Sequence, residues 1–244
     1  MNKNTKLIWK GASPVDGSPI GVFVSGFEDS SSNIKTGDLM QSWIIRLDVE
    51  PHVAVKTGDD TAICGDCPFK GSVCYVQVYR APLAIFRSYR AGNIEEITTG
   101  EFARYLVENK RGFRFGAYGD PGMVPLPVWG PIVATRDFST GYTHQWRNLE
   151  PGYREFLMAS VDTPAQYHEA QASGWRTFRT RGADSDLLPG EFVCPASEEG
   201  GKKVTCAQCR LCDGKHEGDA RRSPAIKAHG AQARKWEDAV KMLV

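Results

Sequence analysis

The chain has 244 residues, 41% of them hydrophobic and 24% charged, an ordinary globular composition with length for one sizeable core or one domain with an appendage. Its 30 Lys and Arg against 29 Asp and Glu leave a net charge of +1, so no broad basic field advertises nucleic acid and no acidic field excludes it. No segment approaches the ~18 consecutive apolar residues that span a bilayer, and the start, MNKNTKLIWKGASPVDG, lacks the apolar centre of a secretory signal; the expectation is a cytoplasmic protein that makes no membrane contact.

Residues 1–50 are frequent in Gly, Ser and Asp (GASPVDGSP, EDSSSN) and carry the β-like runs IGVFVS and SWIIRLDV, which read as a small β extension. HVAVKTG reads as a strand leading into the first cysteines. From about residue 80 two periods alternate. PLAIFRS suggests a strand. TGEFARYLVENK suggests a helix capped by Thr99, with Phe102, Tyr105 and Leu106 as its apolar stripe. FRFGAYGDP is a strand ending in a turn, LPVWGPIVAT a proline-interrupted helix, and GYTHQW and FLMASVD are strands. TPAQYHEAQASGW opens as a helix at Thr163–Pro164. WRTFRTR, FVCP and PAIKAHG are further strands, and AQARKWEDAVKMLV a C-terminal helix. This alternation implies parallel strands with helices packed outside. The expected class is α/β: a partial (β/α)6-like barrel or a parallel sheet, with 1–50 as its N-terminal β extension and 51–244 carrying both cysteine groups.

All seven cysteines fall in two groups. In a reducing cytoplasm such clusters point to metal or redox chemistry before disulfides. Cys206, Cys209 and Cys212 form C-x2-C-x2-C, with Cys194 as a remote fourth thiol. That is an iron–sulfur spacing; the alternative is a structural zinc held by four thiolates. Cys64, Cys67 and Cys74 form C-x2-C-x6-C, three thiolates that leave one coordination position open for substrate, water or a further protein ligand such as His144 or His229. Joining Cys64 and Cys67 to two later cysteines in one zinc ribbon is another arrangement the spacing allows.

In a parallel sheet, functional groups collect at the carboxyl ends of strands. Tyr118, Gly119 and Asp120 end one expected strand; His144, Gln145, Trp146 and Arg147 end another; Asp162, Cys194 and His229 end three more. Asp120, His144, Asp162 and His229 are therefore candidates for proton handling, and Tyr118, Gly119, Tyr142, Gln145, Trp146 and Arg147 for binding a ligand. Each has a structural alternative. Asp120 before Pro121 can make an Asx turn, Asp162 can cap the following helix, and His144 can be a satisfied, half-buried histidine.

The motifs CGDCP (Cys64–Pro68), CYV (Cys74–Val76), RFGAYGDP (Arg114–Pro121), TGYTHQWR (Thr140–Arg147), MASVD (Met158–Asp162), GWRTFR (Gly174–Arg179), CPAS (Cys194–Ser197), CxxCxxC (Cys206–Cys212) and AHG (Ala228–Gly230) resemble those of a family of phage and plasmid proteins of unassigned activity; Lys35–Gly37 matches less closely. The chain is also distantly similar to radical-SAM enzymes, which use a partial (β/α)6 barrel and three cysteines after the first strand. That similarity implies a [4Fe-4S] cluster at Cys64, Cys67 and Cys74 with S-adenosylmethionine on its free iron, and a second cluster at the later group. The sequence departs from it in spacing, since the usual CxxxCxxC is absent, and no GGE-like segment follows the second strand.

Three functions follow as expectations. The first is an iron–sulfur enzyme of a mobile element, with one or two [4Fe-4S] clusters, that modifies a nucleotide, nucleic acid or other small molecule in the host cytoplasm. Tyr118, Tyr142 and Trp146 would offer a base its stacking surface. The second is a non-catalytic zinc module in phage or plasmid replication or host takeover. The third is redox sensing through exposed, low-pKa thiols.

Overall fold

The computed structural model describes residues 2–29, 33–230 and 232–242, so the middle of the EDSSSN stretch and both ends of AQARKWEDAVKMLV lie outside the described residues. Its strands are β1 (Thr5–Ala12), β2 (Pro19–Ser25), β3 (Met40–Arg46), β4 (Glu95–Glu96), β5 (Phe113–Tyr118), β6 (Ser139–Thr143), β7 (Met158–Val161), β8 (Thr177–Arg181), β9 (Glu191–Val193) and β10 (Ser223–Lys227). Its helices are α1 (Pro51–Thr57), α2 (Thr61–Cys64), α3 (Ala81–Arg90), α4 (Thr99–Glu108), α5 (Leu126–Thr135), α6 (Pro164–Ala172), α7 (Cys206–Cys209) and α8 (Ala233–Lys241).

The strands form one sheet in the order β4-β1-β2-β3-β5-β6-β7-β8-β10-β9. β1–β2 and β2–β3 are antiparallel and every other pairing is parallel. The sheet runs from β4 to β9 without closing among the described residues, so the parallel-sheet alternative describes the chain. Residues 1–50 belong to it directly: β3 pairs with β5 at Met40↔Phe113, and Leu7, Ile20 and Ile44 share one core with Phe115 and Val161.

Two expected strands are helices. HVAVKTG becomes α1, because Pro51 fits the first helical turn and Gly58 ends it in the left-handed region at φ 84°. PLAIFRS becomes part of α3, which buries Pro82, Ile85 and Phe86 at helical spacing. The cap of α4 is Thr98, one residue before the expected Thr99, in a reciprocal capping box with Glu101.

The two faces of the parallel strands differ. Phe113, Phe115, Ala159 and Val161 pack with Phe102 and Leu106 of α4, Trp129 and Ile132 of α5, and Tyr167 and Ala170 of α6. Phe115 meets the Trp129 ring edge-on, with centroids 5.2 Å apart. On the other face Arg114, Tyr142, Ser160, Phe178 and Thr180 are only half-buried. Near the far edge Arg179 and Glu191 form a buried bidentate pair at 2.8 and 2.7 Å, and Glu191 also accepts from the Leu188 N–H at 2.8 Å. A fully satisfied pair of this kind holds β9, and with it Cys194, against its neighbours. No helix among the described residues is long and apolar enough to cross a membrane.

Candidate functional site

The first cysteine loop lies over the carboxyl ends of β5, β6 and β7. Cys64 is the last residue of α2, and Gly65 turns the chain at φ 52°. A side chain at Gly65 would meet Gln145 Oε1 at 2.4 Å, so only glycine lets the clamp close. That clamp is the Gln145 amide: Nε2 donates to the Cys64 carbonyl at 3.0 Å and Oε1 accepts from the Asp66 N–H at 3.2 Å. The loop is also tied down by Ser13, whose hydroxyl donates to the Ala62 carbonyl at 2.8 Å, and by the Asp120 N–H, which donates to the Ile63 carbonyl at 2.7 Å. Gly119, at φ 75°, permits this approach; a Cβ there would fall 2.8 Å from the Ile44 carbonyl.

Asp120, His144 and Asp162 do come together. Asp120 accepts from the His144 N–H at 2.8 Å and from the Gly122 N–H at 2.8 Å. Both its oxygens are thus taken by backbone, which makes Asp120 a strut between the ends of β5 and β6 as much as a proton carrier. Asp162 is free for side-chain work, because Thr163 caps α6 by accepting from the Gln166 N–H. The Asp162 carboxylate stands 3.4 Å from His144 Nε2, and neither of those two buried atoms has a hydrogen-bond partner among the described residues. Burial disfavours a charged His144 ring, but the neighbouring Cys67 and Asp162 outweigh it and raise the ring well above the ordinary histidine range. Phe69 lies edge-on to the His144 ring at 5.7 Å and touches Trp236 of α8 at 6.1 Å; Cys67 packs in the same small cluster.

Burial pushes the Cys64 thiol up, and Cys67, Asp60 and Cys74 push it further. Cys74 is exposed as a residue, while the packing around its sulfur raises that thiol too. Tyr118, 4% exposed, ends with a buried hydroxyl that has no partner among the described residues. Burial raises this phenol, helped by Cys64, Asp60 and Cys74. Asp60 escaped the sequence reading. It precedes Cys64 by one helical turn, a signal hidden when the preceding segment is read as a strand.

Several expected ligand-binding residues lie elsewhere. Trp146 is 3% exposed, donates to the Ser160 carbonyl at 3.2 Å, and has the Arg147 guanidinium over its ring at 4.1 Å. Tyr118 and Trp146 therefore leave no open face for a base. The exposed aromatics beside the loop are Tyr75 and Tyr79, at 73% and 64%, and Tyr75 accepts from Arg114 at 3.1 Å. Arg147 pairs with Glu169 at 2.6 Å on the surface. His229 is exposed, 3.0 Å from the Lys227 carbonyl through Nδ1, and is not part of the His144 group.

The second loop is clasped far more tightly. Cys194 follows β9, and its N–H donates to the Ala225 carbonyl at 2.9 Å. Thr205 and Gln208 form a reciprocal capping box on α7, and the Cys206 and Ala207 N–H groups reach the Lys35 and Thr36 carbonyls at 2.8 and 3.2 Å. Arg176 is buried and donates to the carbonyls of Leu211, Gly214 and Arg222, each at 2.9 Å. Burial pushes the Cys212 thiol up to about 12, the Tyr142 hydroxyl opposes this, and Cys194, Cys206 and Cys209 add to it. Tyr142 thus stands with the second group, its ring 4.7 Å from Phe178.

These features define a mostly parallel α/β protein with two cysteine loops, one of them among titratable groups at the carboxyl ends of the strands. No protein-family model, no curated protein and no solved structure matches the chain. Among the described residues no three His, Cys, Asp or Glu side chains are close enough to grip one metal ion. The thiols share two neighbourhoods without being drawn into a ligand shell. Within each, every thiolate formed would raise its neighbours, a repulsion that a bound cation relieves. Burial raises the thiols of Cys64, Cys74, Cys206, Cys209 and Cys212.

Proposed function

We propose that this chain is an iron–sulfur enzyme of a phage or other mobile element that modifies a nucleotide or nucleic acid in the host cytoplasm. Cys64, Cys67 and Cys74 would hold the working cluster, and Cys194, Cys206, Cys209 and Cys212 a closed one. The observation that carries this reading is the buried His144–Asp162 pair, its Nε2 and Oδ2 atoms 3.4 Å apart, set beside the three-thiol loop at the carboxyl ends of parallel strands.

When bound, a three-thiolate cluster supplies electrons and an iron position not held by cysteine, where a co-substrate such as S-adenosylmethionine could bind. The protein's own part is to hold and move a proton at His144. Asp120 fixes the backbone of His144, and Asp162 faces its Nε2. Tyr75 and Tyr79 offer exposed rings beside Cys74, and Arg114 offers a cation, a combination suited to a base and its phosphate.

The test is metal and sulfide analysis with EPR of the anaerobically purified, reduced protein, with and without added S-adenosylmethionine. Brown protein with iron, sulfide and a cluster signal is expected. Colourless protein holding two zinc ions would replace this reading with the zinc module. A cluster spectrum unmoved by S-adenosylmethionine would remove that co-substrate alone. For the substrate class, Tyr75→Ala should weaken binding of a single-stranded oligonucleotide; unchanged or absent binding in the parent would remove nucleic acid.

A further inference from the structure

The C-terminal helix α8 takes no part in the main core of the sheet. Its sequence, ARKWEDAVK, spaces Trp236, Ala239 and Val240 three and four residues apart, which puts them on one face. Arg234, Lys235, Asp238 and Lys241 are exposed, and only Trp236 is buried. That apolar face packs on Phe69 and Val73 of the first cysteine loop, in a small cluster of its own with Cys67 and Ala228 against it.

Two fastenings hold the helix. Trp236 stands 6.1 Å from Phe69, whose ring meets His144 edge-on at 5.7 Å. One residue on, Glu237 accepts from the Ala183 N–H at 3.0 Å, in the turn that follows β8. His144 follows β6 and Asp162 follows β7, and in the sheet these two strands come just before β8. The fastenings therefore bracket the strand ends on which the pair stands. The pair itself is shut in: the Asp162 side chain is 2% exposed, and His144 Nε2 and Asp162 Oδ2 are both buried. A substrate cannot reach atoms from which water is excluded, so some element must move.

Which element moves follows from how each is held. β7 and α6 belong to the main core through Ala159, Val161, Tyr167 and Ala170. Among the described residues, α8 is held by one buried side chain and one hydrogen bond to another element. Segments with so little buried apolar surface and so few bonds open first. Gly230, at φ 78° with open space where a Cβ would stand, supplies a turn ahead of the helix. We propose that α8 is a lid: it swings away from Phe69 as a unit, uncovers the first cysteine loop and the His144–Asp162 pair, and closes again on Trp236. That the opening serves a reaction rests on the reading of this pair as the chemical site; the opening itself does not.

Hydrogen exchange on the purified full chain, read peptide by peptide, tests the lid. In the parent, the α8 amides should exchange well before those of β5 and β7, at a rate that low denaturant leaves unchanged. In Trp236→Ala, residues 66–74 should exchange about tenfold faster while 206–212 keep the parent rate, and Trp236→Phe should stay close to the parent. Carbethoxylation of His144 should rise in Trp236→Ala, with the exposed His168 of α6 unchanged as the internal control. The lid is overturned if α8 exchanges only together with β5 and β7, a result the parent gives even where the alanine variant does not fold. It is also overturned if Trp236→Ala leaves residues 66–74 and His144 at the parent rate, or speeds 206–212 and His168 equally. A chain found without iron or sulfide removes the proposed function and leaves the lid standing, whereas an α8 that opens only with the core removes the lid alone.

Discussion

The two cysteine loops use the same residue type in opposite settings. The later loop is stitched at nearly every turn: Arg176 binds three of its carbonyls, Lys35 and Thr36 receive its N–H groups, and Thr205 and Gln208 cap its one helical turn. The earlier loop is held from outside by the Gln145 amide, Ser13 and the Asp120 N–H, and beside it lie the facing His144–Asp162 pair and two buried atoms without partners among the described residues, Asp60 Oδ1 and Tyr118 Oη; beside the later loop the corresponding atom is Arg176 Nε. Many hydrogen bonds from one buried side chain favour a single geometry, whereas a buried titratable pair beside thiols is a candidate for chemistry. The side-chain clasp distinguishes the later loop, and the proposed chemistry belongs to the earlier one.

Three substitutions sharpen or break that contrast. Arg176→Met should cost the most, about 2–4 kcal/mol by chemical denaturation, since it leaves buried carbonyl oxygens without donors; a loss below ~1 kcal/mol would mean that the later loop is not clasped as its bonds suggest. Gln145→Ala should cost about 1–2 kcal/mol for two lost hydrogen bonds, with faster proteolysis between residues 64 and 74 and none added between 194 and 212. Cleavage spreading to both loops would show that they are not independent. The smallest effect is a pH dependence. Hydrogen bonding to Arg221 holds the Asp219 carboxyl far below its usual range. Its stabilisation is therefore complete above the ordinary aspartate pKa of about 4 and is lost as pH falls towards the lower folded value. Asp219→Asn should be less stable than the parent at neutral pH, and the gap should close in acid; a gap constant from pH 7 to pH 2 would contradict the pairing.

Much of this was legible along the chain. The grouping of the cysteines, the strands FRFGAY, MASV and TFRTR, and the convergence of Asp120, His144 and Asp162 follow from spacing and period. The misreadings share a cause. HVAVKTG and PLAIFRS are short apolar runs in which β-branched content favours a strand, while a proline at the start and a glycine at the end, or packing against β3, decide for helix. Reading α1 as a strand concealed the helical turn that puts Asp60 beneath Cys64. Trp146 and Tyr118 look like binding aromatics in sequence because type alone does not separate a ring in the core from one at the surface.

Of the two cysteine loops, the sequence by itself determined the local runs, Cys64 with Cys67 and Cys206 with Cys209 and Cys212, and left open whether the two groups shared one site. Covalent spacing along a few residues is a local property, and a C-x2-C-x2-C run cannot spread its sulfurs far apart. Only the tertiary structure decided what faces them. Gln145, His144 and Asp162 reach the first loop from β6 and β7, Arg176 reaches the second from the start of β8, and residues 13, 35 and 36 of the N-terminal strands and their loops touch both. Those partners are set by sheet order and register, which pair segments far apart in the chain.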